Sequence, residues 1–311
     1  MKHYLVFFIL LITVCCSSNN SHDKDKGQSK TAQNPTKLFK LPVIPSTLQT
    51  PEARGNYLSE HYWDNFNFAD TSSIHRPEIG EQAWVDYLDF LKTAPVPTAQ
   101  KSISKFFKKA EANKKVYDYF TKMADKYLYD PNSPMRNEEL YISVLDAMLN
   151  SPLLSDIEKI RPQERRKMAE KNRIGRRATN FRYTLSSGQN KTLYDIKSEY
   201  TILFINNPGC HACEETIEAL KGSVVITRNI NMEKLAILSV YPDEDLAEWQ
   251  RHLNAFPKEW ICGYDKKLSI RNQNLYDLKA IPTLYLLDQN KTVLLKDATV
   301  NEIEMVLAQG H

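Results

Sequence analysis

Cys210 and Cys213 stand three positions apart in the run Asn206-Asn207-Pro208-Gly209-Cys210-His211-Ala212-Cys213-Glu214-Glu215. On a helix, residues i and i+3 share a face, so the two sulfurs can reach the Cα separation of about 4.4–6.8 Å that a disulfide needs. Such a pair can open and close a small ring. A thiol on the first turn of a helix meets free N–H groups and the positive end of the dipole, which bring thiol pKa values down from about 8.5 toward about 3.5–7.5. Cys210, nearer the helix start, is the expected nucleophile, and Cys213, one turn deeper, the expected resolving thiol. His211 between them is placed to modulate the pair, because a neighbouring imidazolium favours a thiolate. Half of a zinc site has the same spacing, and so does a merely structural disulfide. Zinc would require two more ligands at paired spacing. The body of the chain offers Cys262 and scattered histidines such as His252, with no second CxxC and no HxxxH, so neither a metal nor a cofactor is expected.

The elements that must position the pair can be read on either side of it. Tyr200-Thr201-Ile202-Leu203-Phe204-Ile205 is the most strand-like run in the chain, and it stops at a Pro-Gly turn before an acidic, helix-compatible segment. That pattern is strand, turn, helix N-terminus. Downstream lies Ala280-Ile281-Pro282-Thr283-Leu284-Tyr285-Leu286-Leu287-Asp288. Proline does not belong inside a buried strand, so Pro282 must begin the strand or mark a special peptide bond.

A CxxC after a central strand, followed by Ile-Pro-Thr opening another, resembles the thioredoxin superfamily. The resemblance implies that Cys210 and Cys213 are its redox pair, that Pro282 is its cis-proline beside them, and that the backbone at Ile281 contacts an extended substrate segment. The two motifs together are far more specific than either alone. Two departures stand out: where thioredoxins carry Trp before the first cysteine and a buried acid six residues before it, this chain has Gly209 and Phe204. A base for the resolving thiol would then come from Glu214, Glu215 or an inserted element. Oxidising and isomerising relatives place His second between the cysteines, whereas here it is first. An Ile before the proline is similar to reducing thioredoxins. Cys262 is a candidate third redox group, although an inert buried thiol is the expected reading.

At 311 residues with 42% hydrophobic content, the chain can bury two domain cores, and its formal net charge of +3 is too small to imply a nucleic-acid partner. Lys2 and His3 precede an apolar run over 5–14. Ten residues cannot cross a bilayer core of about 30 Å but match the apolar part of a signal peptide, so export is expected. The following Cys15-Cys16-Ser17-Ser18 resembles a bacterial lipoprotein signal, which implies lipidation at Cys16, preferred to Cys15 because a smaller residue precedes it, and a signal peptide over 1–16; ordinary signal-peptidase cleavage nearby is the alternative. Residues 17–51 are polar and should form a flexible tether.

Apolar residues at helical spacing over 52–172 give an all-α domain of five or six helices. Within it the aromatic segment 62–70 could serve recognition, though core packing is the commoner cause of such density. The basic stretch 161–177 could face phosphates or anionic lipid head groups, but the expected reading is the solvated face of the last helix plus a linker. The segment resembles an uncharacterised helical module that precedes thioredoxin-like domains in anchored Gram-negative proteins. An α/β domain over 173–311 follows, with a hairpin near 181–194, strands at 235–241 and 292–296, and helices at 243–252 and 300–309. The hairpin is similar to the membrane-anchored, TlpA-type branch. The 69 positions from Cys213 to Pro282 leave room for an insertion.

The fold expected is therefore a thioredoxin-like central sheet with flanking helices, preceded by an all-α helical domain. The function expected is a periplasm-facing, lipid-anchored thiol-disulfide oxidoreductase that reduces disulfides of exported proteins and draws on a membrane or periplasmic electron donor. Two rivals remain: a non-catalytic binding protein working through the helical domain, and a thiol peroxidase.

Overall fold

The computed structural model describes residues 39–309, which fall within one compact unit. The expected leader, Cys16 and the first part of the tether lie outside the described residues. The tether ends earlier than residue 51. Phe39 stacks on Tyr62 at 5.3 Å and meets Trp63 at 5.2 Å, while Asn65 Nδ2 donates to the carbonyls of Lys40 and Leu41. One large apolar side chain anchors the last dozen residues that polarity alone would have left loose.

The first half comprises α1 (Pro51–His61), α2 (Glu81–Leu91), α3 (Val96–Ala110), α4 (Lys114–Ala124), α5 (Glu138–Asn150) and α6 (Asp156–Glu170). Their starts follow local chemistry: Thr50 caps α1 ahead of Pro51, Asn113 and Asn137 cap α4 and α5, and Ser155 with Glu158 closes a capping box on α6. Trp63 is 4.7 Å from Phe106 and 5.5 Å from Phe120, with Trp84 and Tyr87 completing the cluster. The aromatics of 62–70 are thus core, since Tyr62, Trp63, Phe66 and Phe68 are all buried. After α4 a single π turn, Asp125–Tyr129, aims Asp125 at Tyr141 and Arg165.

The basic stretch is solvated only in part: Arg161, Lys167, Arg176 and Arg177 are exposed, and three other arginines are drawn into pairs. Arg165 pairs with Asp125 at 2.7 Å, Arg166 with Asp146 at 2.7 Å, and Arg173 grips Glu139 through two nitrogens at 2.7 and 2.5 Å. These arginines tie α6 and the following linker to neighbouring elements, because acids distant in sequence face them.

The second half is a seven-stranded sheet in the order β2-β1-β5-β4-β3-β6-β7, built from β1 (Arg182–Leu185), β2 (Asn190–Thr192), β3 (Tyr200–Ile205), β4 (Leu235–Tyr241), β5 (Ile261–Tyr264), β6 (Thr283–Leu287) and β7 (Val293–Lys296). β3 runs parallel to β4 and antiparallel to β6. Both its faces are covered, which is why its apolar residues are consecutive. Leu203 and Ile205 join one core with Val240 and Tyr285; Ile202 and Phe204 join the other with Ile217, Trp260 and Leu307. The connecting helices are α7 (His211–Gly222), α8 (Val224–Asn231), α9 (Leu246–His252), α10 (Ser269–Asn272) and α11 (Val300–Gln309). The helix expected from 243 begins at Leu246, since Asp245 takes the cap position and accepts from Glu248 N at 2.9 Å. The strand expected from 292 begins at Val293, because Thr292 N is held by the Asp288 carboxylate in the preceding turn.

The two halves are pinned together. Asn172 accepts from Thr179 N at 2.7 Å and donates to Leu275 O at 2.8 Å. Glu138 at the start of α5 meets Lys296 at 2.6 Å and Lys279 at 3.8 Å, and Lys279 lies three residues before Pro282.

Candidate active site

β3 delivers the chain to the site through Asn206, whose buried amide donates to Phe204 O at 3.1 Å and to Ser239 Oγ at 2.8 Å. Asn207 then donates to the Asp243 carboxylate at 2.7 Å. Gly209 turns the chain with φ of +69°, a conformation side chains resist, and α7 starts at once. Cys210 is its N-cap residue. The Cys210 carbonyl accepts from Cys213 N at 2.9 Å and from Glu214 N at 3.0 Å, so the helix winds directly from the first cysteine. Cys213 is buried and Cys210 half-buried, both as thiols.

Sheet register brings the second motif alongside. Ile205 at the end of β3 pairs with Thr283 at the start of β6, so the residues just after one strand and just before the other meet at the same edge. The Ile281-Pro282 peptide is cis, as the resemblance implied, and the Cys210 thiol donates to the Ile281 carbonyl at 3.7 Å. Thr283 Oγ1 donates to Ala280 O at 2.6 Å and closes the loop. The structure therefore brings together Cys210, Cys213, Ile281 and Pro282.

Burial, and then a hydrogen bond with Cys210, pushes the Cys213 thiol up to about 12, with a backbone hydrogen bond from Asn207 acting the other way. A neutral resolving thiol in the dithiol state follows. His211 is largely exposed, its Nε2 3.2 Å from Glu215. Phe204, at the position where thioredoxins carry an acid, is fully buried, and Glu214 and Glu215 are exposed. The acid that the structure links to the turn before Cys210 is Asp243, which also meets Arg271. Sequence reasoning missed it: the Pro242-Asp243 step after a buried strand was the available signal, and it was read as a helix start. Cys262 sits on β5 opposite Ser239, its thiol also pushed up to about 12 by burial. Among the described residues no cluster of three His, Cys, Asp or Glu could hold a metal ion.

A sheet whose central strand runs into a CxxC helix beside a cis-proline loop defines a thioredoxin-type domain. Comparison with known proteins agrees. Residues 198–293 match the family described as "Thioredoxin-like", and residues 15–172 match the "Domain of unknown function (DUF5106)". A solved thioredoxin-like protein from Bacteroides caccae is 58% identical, covers 89% of this chain and 100% of its own, and superposes with a TM-score of 0.87. The solved C-terminal domain of a protein from Bacteroides fragilis is 64% identical over 44% of this chain and 98% of its own, with a TM-score of 0.44. No curated protein matches. The chain belongs to the thioredoxin-like family, with a DUF5106 domain preceding the thioredoxin fold.

Proposed function

We propose that the chain is a CxxC-dependent thiol-disulfide reductase of exported proteins, facing the periplasm and anchored through a lipid on Cys16. The carrying observation is Cys210 at a helix start, half-buried, with its sulfur against Ile281 O and the buried Cys213 as hydrogen-bond partner. Cys210, as thiolate, attacks one sulfur of a substrate disulfide. The substrate S–S bond breaks, a Cys210–substrate disulfide forms, and the second substrate sulfur leaves and takes up a proton. Cys213 then gives up its proton and attacks Cys210 Sγ, which closes the Cys210–Cys213 disulfide and releases the remaining substrate thiol. Two electrons pass from the pair to the substrate, and a membrane or periplasmic dithiol donor restores them.

One feature supports reduction over oxidation: Ile281 before the cis-proline, as in reducing thioredoxins. The test is dithiothreitol-driven reduction of hydroxyethyl disulfide by wild type, Cys210→Ser and Cys213→Ser. Cys210→Ser should be inactive, and Cys213→Ser should stall as a mixed disulfide visible by mass spectrometry. Equal turnover by wild type and Cys210→Ser would sink the reading.

A further inference from the structure

A cleft of about 480 Å³ opens beside the cis-proline loop, and its walls come from both halves of the chain. Ile281 and Leu278 line it from the sheet side, and Tyr129 and Met168 from the π turn and α6. Its size is that of clefts which hold a small ligand or a few residues of peptide. Ile281 is shared: its carbonyl faces the Cys210 sulfur at 3.7 Å, and the same residue lines the cleft. A polypeptide whose disulfide lies at Cys210 would therefore continue into this space.

The chemistry of the walls narrows the occupant. Each charged side chain of the cleft already faces an opposite charge: Glu164 pairs with Lys167 at 2.7 Å, Arg165 with Asp125 at 2.7 Å, Lys279 with Asp277 at 2.9 Å, and Arg271 with Asp243. Arg165 also sits over the Tyr129 ring, its Cζ 4.0 Å from the ring centre. What stays uncommitted is the half-buried apolar surface of Met168 and Ile281, beside Leu278, which also packs on the sheet core. An anionic small disulfide gains nothing there. An apolar side chain does, by leaving water.

We infer that the helical domain is a specificity element: it supplies one wall of a substrate cleft that takes an apolar side chain next to the reacting cysteine of a disulfide-bonded polypeptide. The inference rests on the reductase reading. It gives the helical domain, which contains no cysteine, a part in choosing the substrate. The thioredoxin face alone would leave the far side of Ile281 open to solvent.

The test uses the full chain and two disulfide-linked peptides that differ only in Leu or Ser beside the cysteine, with hydroxyethyl disulfide as the small reference. Wild type should favour the Leu peptide in kcat/KM by about tenfold, the range expected when a pocket gains or loses an apolar group. Met168→Glu should bring that ratio to within about twofold of unity, and Met168→Gln, which keeps the volume and guards against a folding defect, should lower it in the same direction. Wild type that reduces hydroxyethyl disulfide but treats the two peptides alike overturns the cleft inference alone. So does a preference that survives both substitutions. Wild type unable to reduce hydroxyethyl disulfide overturns the reductase reading, and the cleft inference falls with it.

Discussion

The buried resolving thiol sets a measurable alkaline limit on the reduced protein. Cys213 is 1% exposed, and its thiol rises from an ordinary 9.0 to about 12, first through burial and then through its hydrogen bond with Cys210. The folded value lies above the unfolded one, so the native state keeps its proton after the unfolded chain has lost it. This contribution is fully present below about pH 9 and is lost as pH rises toward about 12. Within that window one proton separates the two states, and stability should fall by about 1.4 kcal/mol per pH unit on account of Cys213. Urea unfolding of the reduced wild type and of reduced Cys213→Ala at pH 9.5 and 10.5 isolates the effect. The cavity left by the substitution shifts both points of the variant alike, so only the slopes are compared. Wild type should lose roughly 1 kcal/mol more than the variant over that unit of pH. Parallel slopes would refute the burial argument and with it the neutral resolving thiol. The catalytic corollary is that release of the mixed disulfide should speed up with pH, because Cys213 must lose its proton before it attacks.

Other consequences are more local. Gly263 lies where a Cβ would stand 2.5 Å from Tyr183 Cδ2 and 3.3 Å from Thr184 O, and the Tyr183 ring is buried, so Gly263→Ala should cost about 1–3 kcal/mol in urea unfolding. Unchanged stability would mean that β1 and β5 are less tightly apposed than described. Cys16→Ala should move the chain from the membrane fraction to the soluble periplasmic fraction, and retention in membranes would remove the lipid anchor from the proposal.

How much could be read from the sequence depended on how far apart the partners lie. β3, β4 and α11 appear at the expected residues because a doubly covered strand is a continuous apolar run, and a C-terminal helix has its own period. The meeting of Cys210 with Ile281 was also readable, since two short motifs together specify one strand pairing. The packing of Phe39 under Tyr62 and Trp63 was not, because one apolar residue in a polar stretch leaves no periodic trace. Nor was the basic stretch: whether Arg165 is solvated or paired depends on Asp125, forty positions earlier and presented by a π turn that no local pattern announces. Asp243 and the Met168 wall went unread for the same reason, as each gains its meaning from a neighbour in another element.

The reduction potential of the Cys210–Cys213 pair, titrated in the purified chain against dithiothreitol and glutathione buffers, tests the central claim most directly. A single two-electron transition near about −270 mV, absent from Cys210→Ser, is the predicted result for a reductant. A midpoint near about −120 mV, or no disulfide at all between the two cysteines, would contradict it.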